Sequence, residues 1–268
     1  AKAAVAVTVD GVQKDLHDPI MHDANISIIT IDSEEGLEIM RHTLAAQVLA
    51  RAVKNLYPKS KLAIGPTIKD GFYYDVECKE TISIDDLEKI EKEMDKIVKT
   101  KSSITKKLLS KKDALKVFKD KDESYKEEII NDSDQEDEFQ LYYQDDEDFV
   151  DLCKGPHLPN LNFIGAYKLT TISGAYWKGD SSNTMLTRIY GTAWSNEKDL
   201  NEHLNNIEEA QKRDHRKLGK EMDLFHFQDE APGMVFWHPN GWSIYRNLRN
   251  FVRKRLQEND YIEVNTPQ

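Results

Sequence analysis

The chain has 268 residues, of which 39% are hydrophobic and 32% are charged, and its formal net charge is −11. This length exceeds the roughly 100 to 200 residues of a typical domain, so more than one folding unit is expected. The negative charge excludes a non-specific coat for nucleic acid, but it leaves room for binding through a local basic patch.

The first predicted elements are three short strands. VAVTV (5–9) and VQKDL (12–16) flank Asp10-Gly11, a pair that suits the positive backbone angles of a tight hairpin turn. ISIITI (26–31) is predicted to be the third strand. A hairpin and one more strand bury little apolar surface, so this segment is expected to be part of a small β-rich unit.

A long amphipathic helix is predicted next. It begins at Asp32-Ser33-Glu34-Glu35, where acidic side chains suit the positive end of the helix dipole, and its apolar residues recur at threes and fours as far as Tyr57-Pro58. The later predicted elements are a β-like stretch at 62–77, a helix at 84–100, strands at 139–143, 163–169, 173–180 and 188–194, and a polar helix at 198–222.

Two negative observations bear on location. No apolar run approaches the about 20 residues that cross a bilayer, and the first residues lack the pattern of a secretory signal. The two cysteines, Cys78 and Cys153, are too few and too far apart for a disulfide framework. We therefore expect a cytoplasmic protein with free thiols and no membrane partner.

The segment DLCKGPHLP (151–159) places Cys153 and His157 four residues apart around a Gly-Pro pair. His42, on the long predicted helix, shares a face with position 46, because a 3.6-residue turn returns there with about 40° of offset. Two histidines at that spacing would join the cysteine and histidine of the loop in a site that could hold zinc or activate water. Position 46 is alanine, however, and a single helix histidine is more often a hydrogen-bonded, partly buried residue.

Longer sequence motifs favour a functional site over a structural role for His42. RHTLAAQVLARAVKNLYP, AIGPTIKDGFYYDVE, FVDLCKGPHLPN, SGAYWKGDSSNTMLTRIYGTAW and EAPGMVFWHPNGWSIYRNL follow one another in an order that resembles the bacterial threonyl-tRNA synthetases over essentially the whole chain. The resemblance implies an α+β chain in which residues 1–32 end a ubiquitin-like TGS domain, 33–197 form the editing domain, 198–224 form a linker helix, and 225–268 begin a class II catalytic domain.

The resemblance also sets an expectation for aminoacylation. NLRNFVRKRLQENDYIEVNTP (247–267), an amphipathic helix followed by a short strand, resembles class II motif 1, which commonly forms a dimer interface. Motifs 2 and 3 and the zinc ligands of the family's catalytic domain are absent. ATP, magnesium, zinc and a homodimer are therefore implied only for the full-length enzyme, and this part is expected to retain editing or tRNA binding.

In the resembled family, the editing domain hydrolyses the seryl ester of tRNA(Thr). The family's site is carried over to six residues: His42, Tyr74, Lys126, Asp151, Cys153 and His157. The implied roles are water or ribose-hydroxyl activation by His42 and Lys126, and binding of the substrate's α-ammonium group by Asp151. Tyr74 and Cys153 are expected to shape the pocket, and His157 to complete its polar wall.

Ala46 departs from the family pattern, which has a histidine there. Either the editing site is disabled, or it works with fewer groups. His42, Cys153 and His157 could still hold a catalytic zinc, but zinc is not expected, because the resembled site is regarded as metal-independent. A free-standing alanyl-type editing protein with a zinc site is a third hypothesis, which the segment 225–268 disfavours.

Basic side chains are the expected contacts to tRNA phosphates, although a run of charge is often only a solvated face. The candidates are Lys101, Lys106, Lys107, Lys111, Lys112, Lys116, Lys119 and the run Lys212-Arg213-Asp214-His215-Arg216-Lys217. The alternative to an editing enzyme is a non-catalytic tRNA-binding fragment that is disabled at Ala46.

Overall fold

The computed structural model describes residues 3–145 and 149–264, which form two compact units, Ala1–Asn201 and Glu202–Gln268. Both units mix helices and strands, which confirms the predicted α+β class. The candidate site residues all belong to the first unit.

The chain opens with a three-stranded antiparallel sheet in the order β2-β1-β3. Its strands are β1 (Ala4–Val9), β2 (Val12–Asp15) and β3 (Ile26–Thr30). Asp10 (φ 49°) and Gly11 (φ 86°) make the predicted hairpin turn with positive φ at both positions. Val5, Ala6 and Ile29 are buried in the same apolar core as the helices that follow, so this sheet does not have a core of its own.

The long helix begins at Glu34, and the side chain of Ser33 caps it by accepting a hydrogen bond from the Gly36 amide. It comprises α1 (Glu34–Thr43), a π-helical segment (Leu44–Leu49) and α2 (Ala50–Leu56). The predicted extent of the long helix is confirmed. Its middle, however, is π-helical and not α-helical as the periodicity predicts. The side-chain amide of Gln144 donates to the Gln47 carbonyl, and such a tertiary contact is invisible to helical periodicity.

A five-stranded antiparallel sheet, whose strands differ in length, packs against this helix. Its order is β10-β11-β6-β4, and β5 pairs with the first residues of β6, on the same edge as β4. The strands are β4 (Lys61–Leu62), β5 (Thr67–Ile68), β6 (Gly71–Glu77), β10 (Ala166–Tyr176) and β11 (Met185–Trp194), and α3 (Leu87–Thr100) completes the core. The two strands predicted at 163–169 and 173–180 are one strand, because a register shift near residue 170 lets pairing with β11 continue.

A second sheet carries the other side of the candidate site. β7 (Ile104–Leu109), β8 (Phe139–Gln144) and β9 (Phe149–Leu152) pair in that order, all antiparallel. α4 (Lys111–Asp120) and α5 (Ser124–Asn131) pack on it around Phe118, Ile130 and Leu141. The sheet thereby fixes β9 and α5 relative to each other.

The polar helix predicted at 198–222 is two helices, α6 (Glu197–Lys212) and α7 (His215–Glu221). The helix breaks because Asp214 has non-helical angles, and its side chain caps α7 by accepting from the Arg216 amide. The second unit continues with β12 (Phe225–His226), β13 (Phe236–Trp237) and α8 (Pro239–Gln257). The short strand predicted after α8 is not formed at 261–264, and 265–267 lie outside the described residues. Within the described part, no helix has both the length and the apolar character for a membrane span.

Candidate active site

The end of α1 brings His42 to the loop after β9. His42 Nε2 lies 2.6 Å from Cys153 Sγ. The other side of the imidazole is hydrogen-bonded to the backbone of Gly65, where an added Cβ would lie 2.2 Å from the Tyr74 ring. Because a backbone carbonyl can only accept, this hydrogen bond favours the tautomer of His42 with its proton on Nδ1 and a lone pair on Nε2.

His157 lies directly behind His42. The two rings stack with centroids 4.6 Å apart and planes 6° from parallel. His157 Nδ1 is 3.1 Å from Thr43 Oγ1, whose own proton goes to the Ile39 carbonyl at 2.8 Å. His157 therefore donates from Nδ1, and its Nε2 is a buried acceptor without a hydrogen-bond partner among the described residues.

Burial decides the charge of these groups. Desolvation lowers the pKa of His42 below its usual value, although the nearby Asp151 carboxylate works in the opposite direction. The pKa of His157 is held well below its usual value by burial and by the neighbouring His42. Burial also raises the pKa of the Cys153 thiol to about 12. At neutral pH the site thus holds two uncharged imidazoles and a protonated thiol.

A buried charged group forms the opposite wall. Lys126 on α5 and Asp151 on β9 make an ion pair of 2.5 Å, and both side chains are almost fully buried. The Tyr74 hydroxyl bridges them, because it donates to Asp151 at 2.8 Å and accepts from Lys126 at 3.0 Å. Burial, followed by the Asp151 charge, raises the pKa of Tyr74 well above its usual value, so the hydroxyl keeps its proton.

These groups surround a pocket of about 640 Å³. His42, Ala46, Lys126, Asp151 and Cys153 line it. His157 and Tyr74 are 1% and 0% exposed and support that wall from behind. The sequence thus predicted a set of residues that the fold does bring together, while Ala46 leaves an apolar surface on the helix turn after His42.

Comparison with known proteins gives a consistent result. Residues 140–190 match the family model described as "Threonyl and Alanyl tRNA synthetase second additional domain". The chain is 52% identical over all 268 residues to the threonine–tRNA ligase of Legionella pneumophila and 50% identical to that of Prochlorococcus marinus. The chain is related to the threonine–tRNA ligases along its whole length. It spans 42% of the length of each of these two relatives.

Whether this site fits a zinc ion is decided by the geometry of its own side chains. One ligand atom each from His42, Cys153 and His157 lies within 4.8 Å of the others. Two ligands on one tetrahedral zinc, with bonds of about 2.1 and 2.3 Å, would be roughly 3.6 Å apart. The 2.6 Å between His42 Nε2 and Cys153 Sγ is about 1 Å shorter than that separation. The site as arranged does not fit zinc.

Several supporting residues were not predicted from the sequence. Thr43 sets the tautomer of His157, and the backbone of Gly65 is a hydrogen-bond partner of His42. Gln13 on β2 lines the pocket, although it belongs to the first sheet. Thr43 follows the candidate His42 directly, which was the one available signal; Gly65 and Gln13 gave none.

The predicted phosphate contacts fall into different groups. Lys106 is only 16% exposed, and its ammonium group lies 2.8 Å from Asp15 and 2.5 Å from Asp18, which removes it from the set. Lys112, Lys116 and Lys119 are exposed on α4. In the second unit, Lys212 and Arg216 pair with neighbouring acidic residues, Lys212 with Glu208 and Arg216 with Asp214.

Proposed function

We propose that the pocket of this chain hydrolyses the ester of seryl-tRNA(Thr), the editing reaction of a threonine–tRNA ligase. The observation that carries the proposal is the convergence on one pocket of a neutral His42 and the Lys126–Asp151 ion pair. A neutral imidazole accepts a proton near pH 7, and a fixed ammonium group stabilises negative charge.

The proposed reaction needs no intermediate that is covalently bound to the protein. His42 Nε2 first exchanges its contact with the Cys153 thiol for one with the attacking water. It then accepts a proton from that water as the oxygen attacks the ester carbonyl, and the Lys126 ammonium faces the developing oxyanion. The ester C–O bond then breaks, and the leaving ribose oxygen takes the proton back from His42. Cys153 is unsuited to be the nucleophile, because burial raises its pKa to about 12 and only about one thiol in 10⁵ is ionised at pH 7.

Asp151 has room for one further donor. A carboxylate offers about four lone-pair sites. Three are occupied, by Lys126, the Tyr74 hydroxyl and the Leu152 amide. The fourth is proposed to accept from the α-ammonium group of the seryl ester. Threonine has one more methyl group, and a pocket closed at that point would exclude it, whereas binding alone discriminates a methyl by only about 1 to 3 kcal/mol.

A non-catalytic tRNA-binding role is the second candidate. Its supporting observation is Ala46, which is 2% exposed and offers no polar group where the resembled family has histidine. Single-turnover hydrolysis of seryl-tRNA(Thr) by this chain and by the Ala46→His variant separates the two, with threonyl-tRNA(Thr) as the control ester. We expect the seryl ester alone to be cleaved, and faster by the variant. Absence of cleavage by both proteins would contradict the editing proposal.

For the full-length protein we propose threonine–tRNA ligase activity with ATP, magnesium and zinc, and a homodimer formed through the region of α8. Leu248 and Phe251 lie three residues apart on that helix and are exposed. Sedimentation of the full-length protein tests the dimer: substitution of both residues by serine should yield monomers, and an unchanged dimer would exclude this surface.

A further inference from the structure

Strand β2 of the first sheet reaches the candidate site and ends at Asp15. One carboxylate oxygen of Asp15 accepts from the backbone amide of His157 at 2.9 Å. The other accepts from the Tyr142 hydroxyl at 2.7 Å and lies 2.8 Å from the Lys106 ammonium. The Asp15 side chain is only 14% exposed, so these contacts replace most of its water.

Two partners of the Asp15 carboxylate, Lys106 and Tyr142, belong to one row across the second sheet. Lys106 is opposite Tyr142 in the pairing of β7 with β8, and Tyr142 is opposite Asp151 in the pairing of β8 with β9. Directly opposed residues of antiparallel strands share a face. Asp15 therefore contacts two members of the row whose third member is Asp151 of the proposed active site.

Tyr142 connects the same carboxylate to His157. The edge of the Tyr142 ring meets the His157 ring at 4.4 Å and 76°. The Tyr142 hydroxyl also lies against Gly155, where an added Cβ would be 1.9 Å from it. The backbone and ring of His157 are thus fixed by Asp15 and Tyr142, and His157 in turn stacks on His42.

We propose that Asp15 is a positioning residue for the editing reaction, so that the first sheet is a working part of the active site. The inference rests on the proposed function. Asp15 touches no reacting atom; it acts by holding the loop 153–157 and the Tyr142–Asp151 row at the distances that His42 and Lys126 require. A displacement of about 1 Å in such a site costs about 100-fold in rate.

Asp18 provides a matched control. It pairs with the same Lys106 at 2.5 Å, accepts from the Asp15 backbone amide at 3.2 Å and is similarly buried, at 18% against 14%. Among the described residues, no hydrogen bond or ion pair joins Asp18 to His157 or Tyr142. Asp15→Asn and Asp18→Asn therefore each remove one charge from the same cluster, and only the first alters a side chain that contacts the loop directly. Tyr142→Phe is a second test, because it removes the hydroxyl contact and keeps the ring on His157.

The experiment is single-turnover hydrolysis of saturating seryl-tRNA(Thr), with tRNA dissociation constants and urea midpoints measured for each variant, in the more active of the native and Ala46→His backgrounds. For Asp15→Asn we expect about a 10- to 100-fold lower rate constant with an unchanged dissociation constant. Tyr142→Phe should show a smaller loss, and Asp18→Asn should stay within about threefold of its parent.

Equal losses for the two aspartate variants, or losses that follow their urea midpoints, would reduce Asp15 to a structural residue and overturn the inference while the editing proposal stands. If Asp15→Asn does not fold, Tyr142→Phe decides: a rate equal to that of the parent overturns the inference. Absence of hydrolysis in both backgrounds would refute the proposed function and this inference with it.

Discussion

The imidazole of His42 lies flat on that of His157, with ring centroids 4.6 Å apart and an angle of 6° between the planes. Two protonated rings cannot share this position, because each would lose water and face a like charge. Burial accordingly keeps both pKa values below the usual one, further for His157 than for His42. Both imidazoles are therefore uncharged at neutral pH and can accept a proton.

This arrangement predicts a loss of stability in mild acid. Unfolded histidines titrate near pH 6.5, whereas the folded rings resist protonation, so the unfolded state binds more protons as the pH falls below about 6.5. For each of these two histidines, the free energy of unfolding should fall by about 1.4 kcal/mol for every pH unit of acidification between pH 6 and the pKa of the folded state. Urea titrations from pH 7.5 to 5 measure this slope.

His157→Gln should reduce that slope by the equivalent of about one bound proton, and His17→Gln, at an exposed position, is the control substitution. The rate of hydrolysis should also fall in acid. It should be constant above pH 7 and decline at lower pH as His42 is protonated. A slope that His157→Gln does not alter would show that His157 is not held neutral by the fold.

The triad of Tyr74, Lys126 and Asp151 predicts a graded response to substitution. Asp151→Asn leaves the buried Lys126 ammonium without its counter-charge and should cost about 3 to 5 kcal/mol of unfolding free energy. Tyr74→Phe removes only the bridging hydroxyl and should cost about 1 to 2 kcal/mol. Urea unfolding monitored by tryptophan fluorescence gives both values.

Lys92→Gln is the control for the triad, since it breaks an exposed ion pair with Glu88 and should leave the urea midpoint unchanged. If Asp151→Asn were as stable as the parent, the Lys126 ammonium would be hydrated in solution, contrary to its buried position.

The thiol–imidazole distance predicts a protein that is essentially free of zinc at this site. His42 and Cys153 would have to separate by roughly 1 Å to share one tetrahedral ion. Protein purified without chelator should therefore contain well below one zinc per chain by elemental analysis, and chelator should change neither hydrolysis nor the urea midpoint. One zinc per chain that Cys153→Ala abolishes would support the alanyl-type hypothesis instead.

The exposed lysines of α4 predict the salt dependence of tRNA binding. Each phosphate contact contributes about 0.7 to 0.9 to the slope of log affinity against log salt concentration. The triple substitution of Lys112, Lys116 and Lys119 by glutamine should therefore reduce this slope by about 2 to 3. The matching triple substitution of Lys92, Lys96 and Lys99 on α3 is the control. Equal slopes for both variants would show that the α4 lysines are only a solvated surface.

The sequence predicted most of the secondary structure and the candidate site residues. The Asp10-Gly11 turn, the start of α1 at Ser33 and the helix at 84–100 are local features, because backbone angles, caps and apolar periodicity depend on residues a few positions apart. The resemblance supplied His42, Lys126, Asp151, Cys153 and His157, which long motifs carry whether or not their contacts are known.

Tertiary structure alone decided how those residues are arranged and which of them carry charge. The π-helical segment, the neutral state of both imidazoles and the removal of Lys106 from the predicted tRNA contacts follow from burial and from partners distant in sequence. Asp15 is the clearest case: it lies 142 residues before His157, and no local pattern links a strand-end carboxylate to that amide. Desolvation and hydrogen bonding depend on what the fold places nearby, and sequence spacing does not encode this.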